Sequence, residues 1–386
     1  MKRNFIAKRF QSAGTGLTLD TAALAKYKDI VDLSIGDTDF TTDEAIINAA
    51  FRDAKAGYTH YGDPKGDPEL ISAVCKAWEE DFDQSLPRDH VLVSASSCLG
   101  MSLAMFAILD PGDEVIVFSP YFALYRAQIE LAGGVCVDVS TYAEEDYAIS
   151  EERLRAAITP RTKAIILNSP NNPTGCVYNE KSLQAVHDAV QGRKIFVICD
   201  DVYRQLDYTG GYHSFAEFRD LRRQILLVQS FSKPYAMTGW RMGYLLSDAS
   251  VKERLELLHQ FMVVSTPAPF QTACIRALGC DVTPMLETYR ARRSYVLQRL
   301  RDMQLPVCTP DGAFYVFPSI REFGLTSAEF CTRMIREAGL AATPGSCFGA
   351  EGYIRLTYCY GNDQLREGLD RLEQFVRALR AEGGAR

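Results

Sequence analysis

From residue 91 onward the chain alternates short, unbroken apolar runs with longer stretches of helical periodicity. The runs are Val91–Val93, Val115–Phe118, Val135–Val139, Ala164–Leu167, Ile195–Cys199, Ile225–Val228 and Gly243–Leu246. Helical stretches at Phe122–Leu131, Glu151–Ala157 and Glu180–Val190 separate several of them. A strand that is apolar on both faces needs cover on both faces. The alternation therefore predicts an α/β fold, a mostly parallel sheet with helices on either side. One strand near the end of such a series can run antiparallel.

Upstream, Ile46, Ile47, Ala50, Phe51 and Ala54 share one face of a helix that Thr41 or Thr42 can cap and Gly57 can end. A second helix is expected from Asp67 as N-cap, Pro68 at its first position, and Leu70, Ile71, Val74, Trp78 and Phe82 on one face. The opening stretch around Gly14 and Gly16 reads as irregular. After Ala249 the pattern turns helical, at Lys252–Val263 and Met285–Met303. Segments Ala313–Phe317, Ala328–Ala338, Ile354–Tyr358 and Gln364–Leu379 then read as a smaller α+β unit. The expected division is a large domain over 46–284 and a small one over 285–386, with 1–45 contributing to the small one. The uncharged run from Val91 to Leu109 holds four serines and a glycine. It reads as strand, polar turn and buried helix rather than a membrane span.

Composition narrows the function classes. The 386 residues carry a net charge of −7, which argues against a broad nucleic-acid or anionic-membrane face. Eleven cysteines with no CxxC pair suit reduced thiols in the cytoplasm, and the first residues have no apolar signal-peptide core. The five histidines have no metal-ligand spacing, so no metal site is expected.

In open α/β sheets ligands bind beyond the carboxyl ends of the strands. The polar residues gather there: Ser94, Ser96, Ser97 and Cys98; Ser119, Tyr121 and Phe122; Asn168 through Asn172 to Gly175; Asp200, Asp201 and Tyr203; Ser230, Ser232 and Lys233. A lysine, an aspartate, hydroxyls and amides converging on one crevice suggest an anionic cofactor with a reactive carbonyl. The turn before Gly100 can offer N–H groups to a phosphate, and Arg241 a bidentate guanidinium. Pro234 keeps Lys233 out of helical dihedrals, in a turn where its amine could form a Schiff base.

The segment from Ser230 to Gly243 resembles the pyridoxal-phosphate attachment pattern SxSKxxxxxGxRxG of the class I/II aminotransferases, which are fold-type-I enzymes. Asn171-Asn172-Pro-Thr-Gly175 is similar to their NNPTG loop and Asp200-Asp-Val-Tyr203 to their DExY motif; Tyr61 and Arg355 also match by position. The resemblance spans Gly36 to Arg355. It implies pyridoxal 5′-phosphate as cofactor and a ping-pong exchange, through aldimine and ketimine forms, between an L-amino acid and a 2-oxo acid. Lys233 would hold the cofactor and then act as general base. Asp200 would face the ring nitrogen, Tyr203 and Asn172 the ring hydroxyl, and Phe122 would stack on the ring. Ser97, Cys98, Ser230, Ser232 and Arg241 would hold the phosphate. Tyr61 would reach the phosphate of a neighbouring subunit, implying a homodimer with shared sites. Arg355 would clamp the substrate carboxylate, with the Gly36 backbone and Asn172 beside it.

Three departures stand out. Ser96-Ser97-Cys98 replaces a glycine- or alanine-rich turn, Phe122 stands where Trp or Tyr is frequent, and Gly36-Asp-Thr-Asp-Phe40 replaces GEPDF. Some aspartate-selective relatives carry lysine at the position of Cys98, which counts against a dicarboxylate preference without excluding it, since a partner subunit could supply the charge; a hydrophobic, aromatic or broad side-chain preference is expected. A cystathionine-type C–S β-lyase is the alternative chemistry on the same cofactor. A DNA-binding regulator is the non-enzyme alternative; about 35 residues ahead of Gly36 are too few for an added helix-turn-helix.

Overall fold

The computed structural model describes residues 29–383; the stretch around Gly14 and Gly16 lies outside them. A short strand β1 (Val31–Asp32) leads to helices α1 (Glu44–Lys55) and α2 (Pro68–Phe82). Then come β2 (Val91–Ser94), α3 (Ser97–Ile108), β3 (Glu114–Ser119), α4 (Leu124–Leu131), β4 (Val135–Ser140), α5 (Glu151–Ala157), β5 (Thr162–Asn168), α6 (Glu180–Val190), β6 (Phe196–Asp200), β7 (Ile225–Ser230) and β8 (Gly243–Leu246). These strands form one seven-stranded sheet in the order β2-β8-β7-β6-β5-β3-β4. β8 alone runs opposite to the other six strands, and it is the last strand of the series.

Alternate residues along each central strand feed different cores, which is why the runs are apolar without a break. Ile116, Phe118, Ile165 and Leu167 pack on one face. Val115, Val117, Ala164 and Ile166 pack on the other, against Met101, Leu103 and Ile129. The sheet is thereby buried on both sides, and the carboxyl ends of its parallel strands share one rim.

The chain continues as α7 (Ala249–Val263), α8 (Ala268–Leu278) and α9 (Thr283–Asp302). Beyond them lie β9 (Tyr315–Val316), α10 (Ser327–Ala338), β10 (Leu340–Ala341), β11 (Thr343–Pro344), β12 (Ile354–Thr357) and α11 (Asn362–Gly383). Strands β11, β12 and β9 form a three-stranded antiparallel sheet, and β1 pairs in parallel with β10. A separate apolar cluster joins Leu33, Leu297, Phe330, Leu356 and Leu372. Val202 and Tyr203 from the end of β6 also enter that cluster, whereas Phe317, Phe348 and Tyr353 pack with the large sheet. Among the described residues no helix is long and apolar enough to cross a membrane. No group of three or more His, Cys, Asp or Glu there could hold a metal ion.

Two local expectations are corrected. Helix α1 is capped by Asp43, whose carboxylate accepts from Ala45 N at 2.8 Å. Thr42 instead donates its hydroxyl to the carbonyl of Ala236, 2.6 Å away. Helix α8 was not expected: Pro267 and Pro269 make its start look like a loop, yet a proline in the first turn removes only an N–H that has no intrahelical acceptor.

Candidate active site

Five strand ends of the large sheet open on a cavity of about 180 Å³. Ser97, Cys98, Phe122, Asn172, Asp200, Tyr203, Ser230, Ser232, Lys233 and Arg241 all line it. Gly36 and Arg355 border it through their contacts with Lys233 and Asn172. Tyr61 does not line it and is 85% exposed.

Helix α3 starts at the cavity wall. Ser96 is its N-cap, with φ of 91°, and its hydroxyl accepts from Leu99 N at 3.3 Å. The turn thus keeps the backbone that a glycine would take, at a cost of about 1–3 kcal/mol for a residue with a Cβ. The N–H groups of Ser97 and Cys98 belong to the first helical turn, which has no intrahelical acceptors. Burial pushes the Cys98 thiol up, and nearby Asp200 adds to the rise. The thiol therefore stays protonated, and what Cys98 offers an anion is its backbone. On the facing strand, a Cβ added to Gly243 would lie 2.8 Å from Ser97 N and 2.7 Å from Gln229 O. Only glycine lets β8 approach the turn this closely.

Asp200 closes strand β6, and Asn168 at the end of β5 ties the two strand ends together. Its Nδ2 donates to the Asp200 carbonyl at 2.9 Å and its Oδ1 accepts from Asn172 N at 2.9 Å. Tyr125 on α4 donates its hydroxyl to Asp200 Oδ2 at 2.5 Å. Asp200 Oδ1 is buried and has no partner among the described residues. Burial raises the Asp200 pKa to about 6, with the Tyr125 hydroxyl opposing and Asp201 reinforcing the rise. A buried carboxylate oxygen facing a cavity without a donor is poised for a cationic N–H.

Lys233 Nζ donates to the Gly36 carbonyl at 2.6 Å. Burial lowers its pKa from the usual lysine value, and Arg355 and Arg241 push the same way while Cys359 and Asp37 oppose. A lysine held closer to neutrality is a better nucleophile and base. Thr42 fixes the turn behind it, where Ala236 and Arg241 both take positive φ. Arg241 Nη1 donates to the Thr238 carbonyl at 2.7 Å.

Arg355 is buried between two aromatic rings, its guanidinium carbon 4.7 Å from the Tyr315 centroid and 4.9 Å from that of Phe348. Nη1 donates to Asn172 Oδ1 at 2.9 Å, and Nη2 to the Ser34 carbonyl and to Thr343. Its Nε is buried without a partner among the described residues. The Tyr203 hydroxyl is paired at 2.7 Å with that of Tyr315.

Sequence reasoning missed Tyr125, Tyr315 and Phe348. Tyr125 lies three residues past Phe122, at the start of α4, a spacing that could have flagged it. Tyr315 and Phe348 are ordinary apolar positions until the fold sets them on either side of Arg355.

The sequence profile of the family described as "Aminotransferase class I and II" matches residues 28–372. The chain is 35% identical over 357 residues to an aspartate aminotransferase of Thermotoga maritima, covering 92% of this chain and 93% of that protein. It is 34% identical over 360 residues to aromatic-amino-acid aminotransferase 2 of Thermococcus litoralis, covering 90% and 92%. Its fold superposes on a double mutant of the Thermus thermophilus aspartate aminotransferase with a TM-score of 0.92 at 33% identity, over 97% of this chain and 100% of the other.

Proposed function

This chain belongs to the class I and II aminotransferases, and on that premise we propose that pyridoxal 5′-phosphate is its cofactor, seated in the cavity beside Lys233. The enzyme transfers an amino group from an L-amino acid to a 2-oxo acid. The residues fit the cofactor's chemistry: Asp200 Oδ1 is a buried acceptor in want of a cationic ring N–H. The start of α3 offers an anion the Ser97 and Cys98 N–H groups at the cavity wall, in a turn that β8 can approach only because residue 243 is glycine. When bound, the cofactor supplies a carbonyl and an electron-withdrawing ring through which nitrogen passes between carbon skeletons.

The chain's own groups then have distinct tasks. Asp200 stabilises positive charge at the ring nitrogen, and Tyr125 keeps that carboxylate ionised and aimed. Ser97 and Cys98 N–H, the Ser230 and Ser232 hydroxyls and Arg241 bind the phosphate. Tyr203 and Asn172, both in the cavity wall, would hold the ring oxygen, and Phe122 would cover the ring. Arg355 holds the substrate carboxylate, beside Gly36, so that the α-carbon faces Lys233. With the cofactor bound, Lys233 Nζ, its pKa lowered by burial, would be the base that takes up and hands back the α-proton.

Tyr61, exposed and away from its own cavity, we assign to the cavity of a second copy, which makes the enzyme a homodimer with shared sites. The division into a large domain at 46–284 and a small one at 285–386, with the N-terminal segment assigned to the small one, is supported within the described residues by the pairing of Val31–Asp32 with Leu340–Ala341. Eleven free thiols support a cytoplasmic setting. A hydrophobic, aromatic or broad side-chain preference is supported by Met101, Phe122 and Val202 in the cavity wall. Among the described lining residues Lys233 and Arg241 are the cations, and both already have tasks.

The observation that carries this reading is the convergence of a part-buried lysine amine and a half-partnered buried carboxylate on one cavity. Its test is a half-reaction. Cofactor-loaded enzyme given an L-amino acid and no 2-oxo acid releases one keto acid per site and then stops, without ammonia. Continuous release of pyruvate with ammonia identifies a β-lyase instead.

A further inference from the structure

The segment that follows Tyr61 is held by three separate elements. Helix α7 supplies His259, whose Nδ1 donates to the Pro64 carbonyl at 3.1 Å. Strand β2 supplies Val93, whose N–H donates to the Lys65 carbonyl at 2.9 Å. Helix α8 supplies Gln271, whose Oε1 accepts from Asp67 N at 2.6 Å. A Cβ added to Gly62 would lie 3.7 Å from Gln271 Nε2 and one added to Gly66 3.6 Å from Oε1, so a single amide spans the turn. Gly66, at φ of 111°, lies so close to Val93 that a Cβ there would meet its side chain at 2.3 Å.

His259 is fully buried and Gln271 is 3% exposed. Neither lines the cavity. A carbonyl can only accept, so the His259 proton sits on Nδ1, and Nε2 is left buried without a partner among the described residues. Two buried polar side chains are thus spent on backbone groups of one surface turn. Immediately upstream, Tyr61 and Tyr58 stand in solvent at 85% and 64% exposure, and the end of α7 adds Phe261 at 74%. Such anchoring satisfies the turn's backbone groups and also fixes its position. An arm that must deliver a hydroxyl to a fixed point on another subunit needs its position fixed.

We propose that His259 and Gln271 are positioning residues for the active site of the opposite subunit, acting through the backbone of residues 64–67 to aim Tyr61 at the phosphate bound there. The inference rests on the assignment of Tyr61 to a second copy. His259→Phe and Gln271→Met keep bulk and remove the hydrogen bond. Each is expected to weaken cofactor retention, read as the dissociation constant by fluorescence titration, by about tenfold. His259→Asn and Gln271→Glu, which keep a donor and an acceptor in place, are expected to restore it.

The deciding experiment uses hybrid dimers. Each variant is co-expressed with a Lys233→Ala chain under a second tag, and the mixed dimer is isolated on both tags. In such a hybrid the only site with a lysine belongs to the variant chain but receives the intact arm of the Lys233→Ala chain. The expected result is wild-type cofactor affinity at that site and about half the wild-type turnover per dimer. A Tyr61→Phe chain paired in the same way is the control and is expected to recover likewise. If Tyr61→Phe recovers while His259→Phe and Gln271→Met stay as weak as their parent dimers, the positioning role is overturned. If Tyr61→Phe itself fails to recover, the assignment of Tyr61 to the second copy falls, and the inference with it.

Discussion

Replacing Asp200 by asparagine separates what the carboxylate does to the fold from what it does for the reaction. Asp200 is 5% exposed, and burial raises its pKa to about 6. In the unfolded chain the same carboxyl titrates near its ordinary value, about 3.9. Below that value both states are protonated and the group does not affect stability. As pH rises from there to about 6 the folded state binds the proton more tightly, so stability falls, and above that interval the penalty stays constant. A rise of about two units corresponds to about 3 kcal/mol at neutral pH. Asparagine carries no charge, and its carbonyl can still accept the Tyr125 hydroxyl. Its amide then buries an unpaired donor in the place of Oδ1, which costs about 1–2 kcal/mol. Cofactor-free Asp200→Asn enzyme is therefore expected to be about 1–2 kcal/mol more stable than the wild type at pH 7.5, with the advantage gone by about pH 4. Urea denaturation of both stripped proteins across that range reads the difference, while turnover of the reloaded variant falls at least about a hundredfold. A variant less stable at pH 7.5, or an advantage that does not change with pH, would refute the reasoning.

Four further substitutions probe the site. Tyr125→Phe removes the hydroxyl that lowers the Asp200 pKa, so the acid limb of the kcat profile should move to higher pH; an unmoved limb counts against the link. Arg355→Lys forfeits the flat group held between Tyr315 and Phe348, and should raise KM for the amino acid about a hundredfold while leaving the cofactor dissociation constant unchanged. Gly243→Ala pushes a methyl against Ser97 N and Gln229 O, so melting temperature and cofactor affinity should both fall. Gly239→Ala, in the same motif but with nothing within 4 Å of the added methyl, should leave both unchanged.

The sheet was legible because its strands are buried on both faces, and unbroken runs such as Ile165–Leu167 are too short to be buried helices. The rim residues were legible because polar groups directly after such runs have one place to go. What escaped depends on remote contacts. Tyr125 reads as one more helical aromatic until α4 lays it against Asp200. The Tyr315 and Phe348 rings come together around Arg355 only through the pairing of short strands near the C-terminus. Helix α8 hid behind two prolines, and with it Gln271. Thr42 looked like a helix cap because threonine is a good one, and only the fold shows that its hydroxyl holds the lysine turn. The exposure of Tyr61 likewise follows from tertiary placement and not from its spacing to Gly66.

The central claim is that Lys233 is the amine through which the cofactor is held and the α-proton moved. Borohydride reduction of the loaded enzyme, followed by peptide mass mapping, tests it directly. The account predicts a single cofactor adduct on the Lys233 peptide, and no adduct and almost no turnover in Lys233→Ala. An adduct on another lysine, or near-normal turnover in that variant, would contradict it.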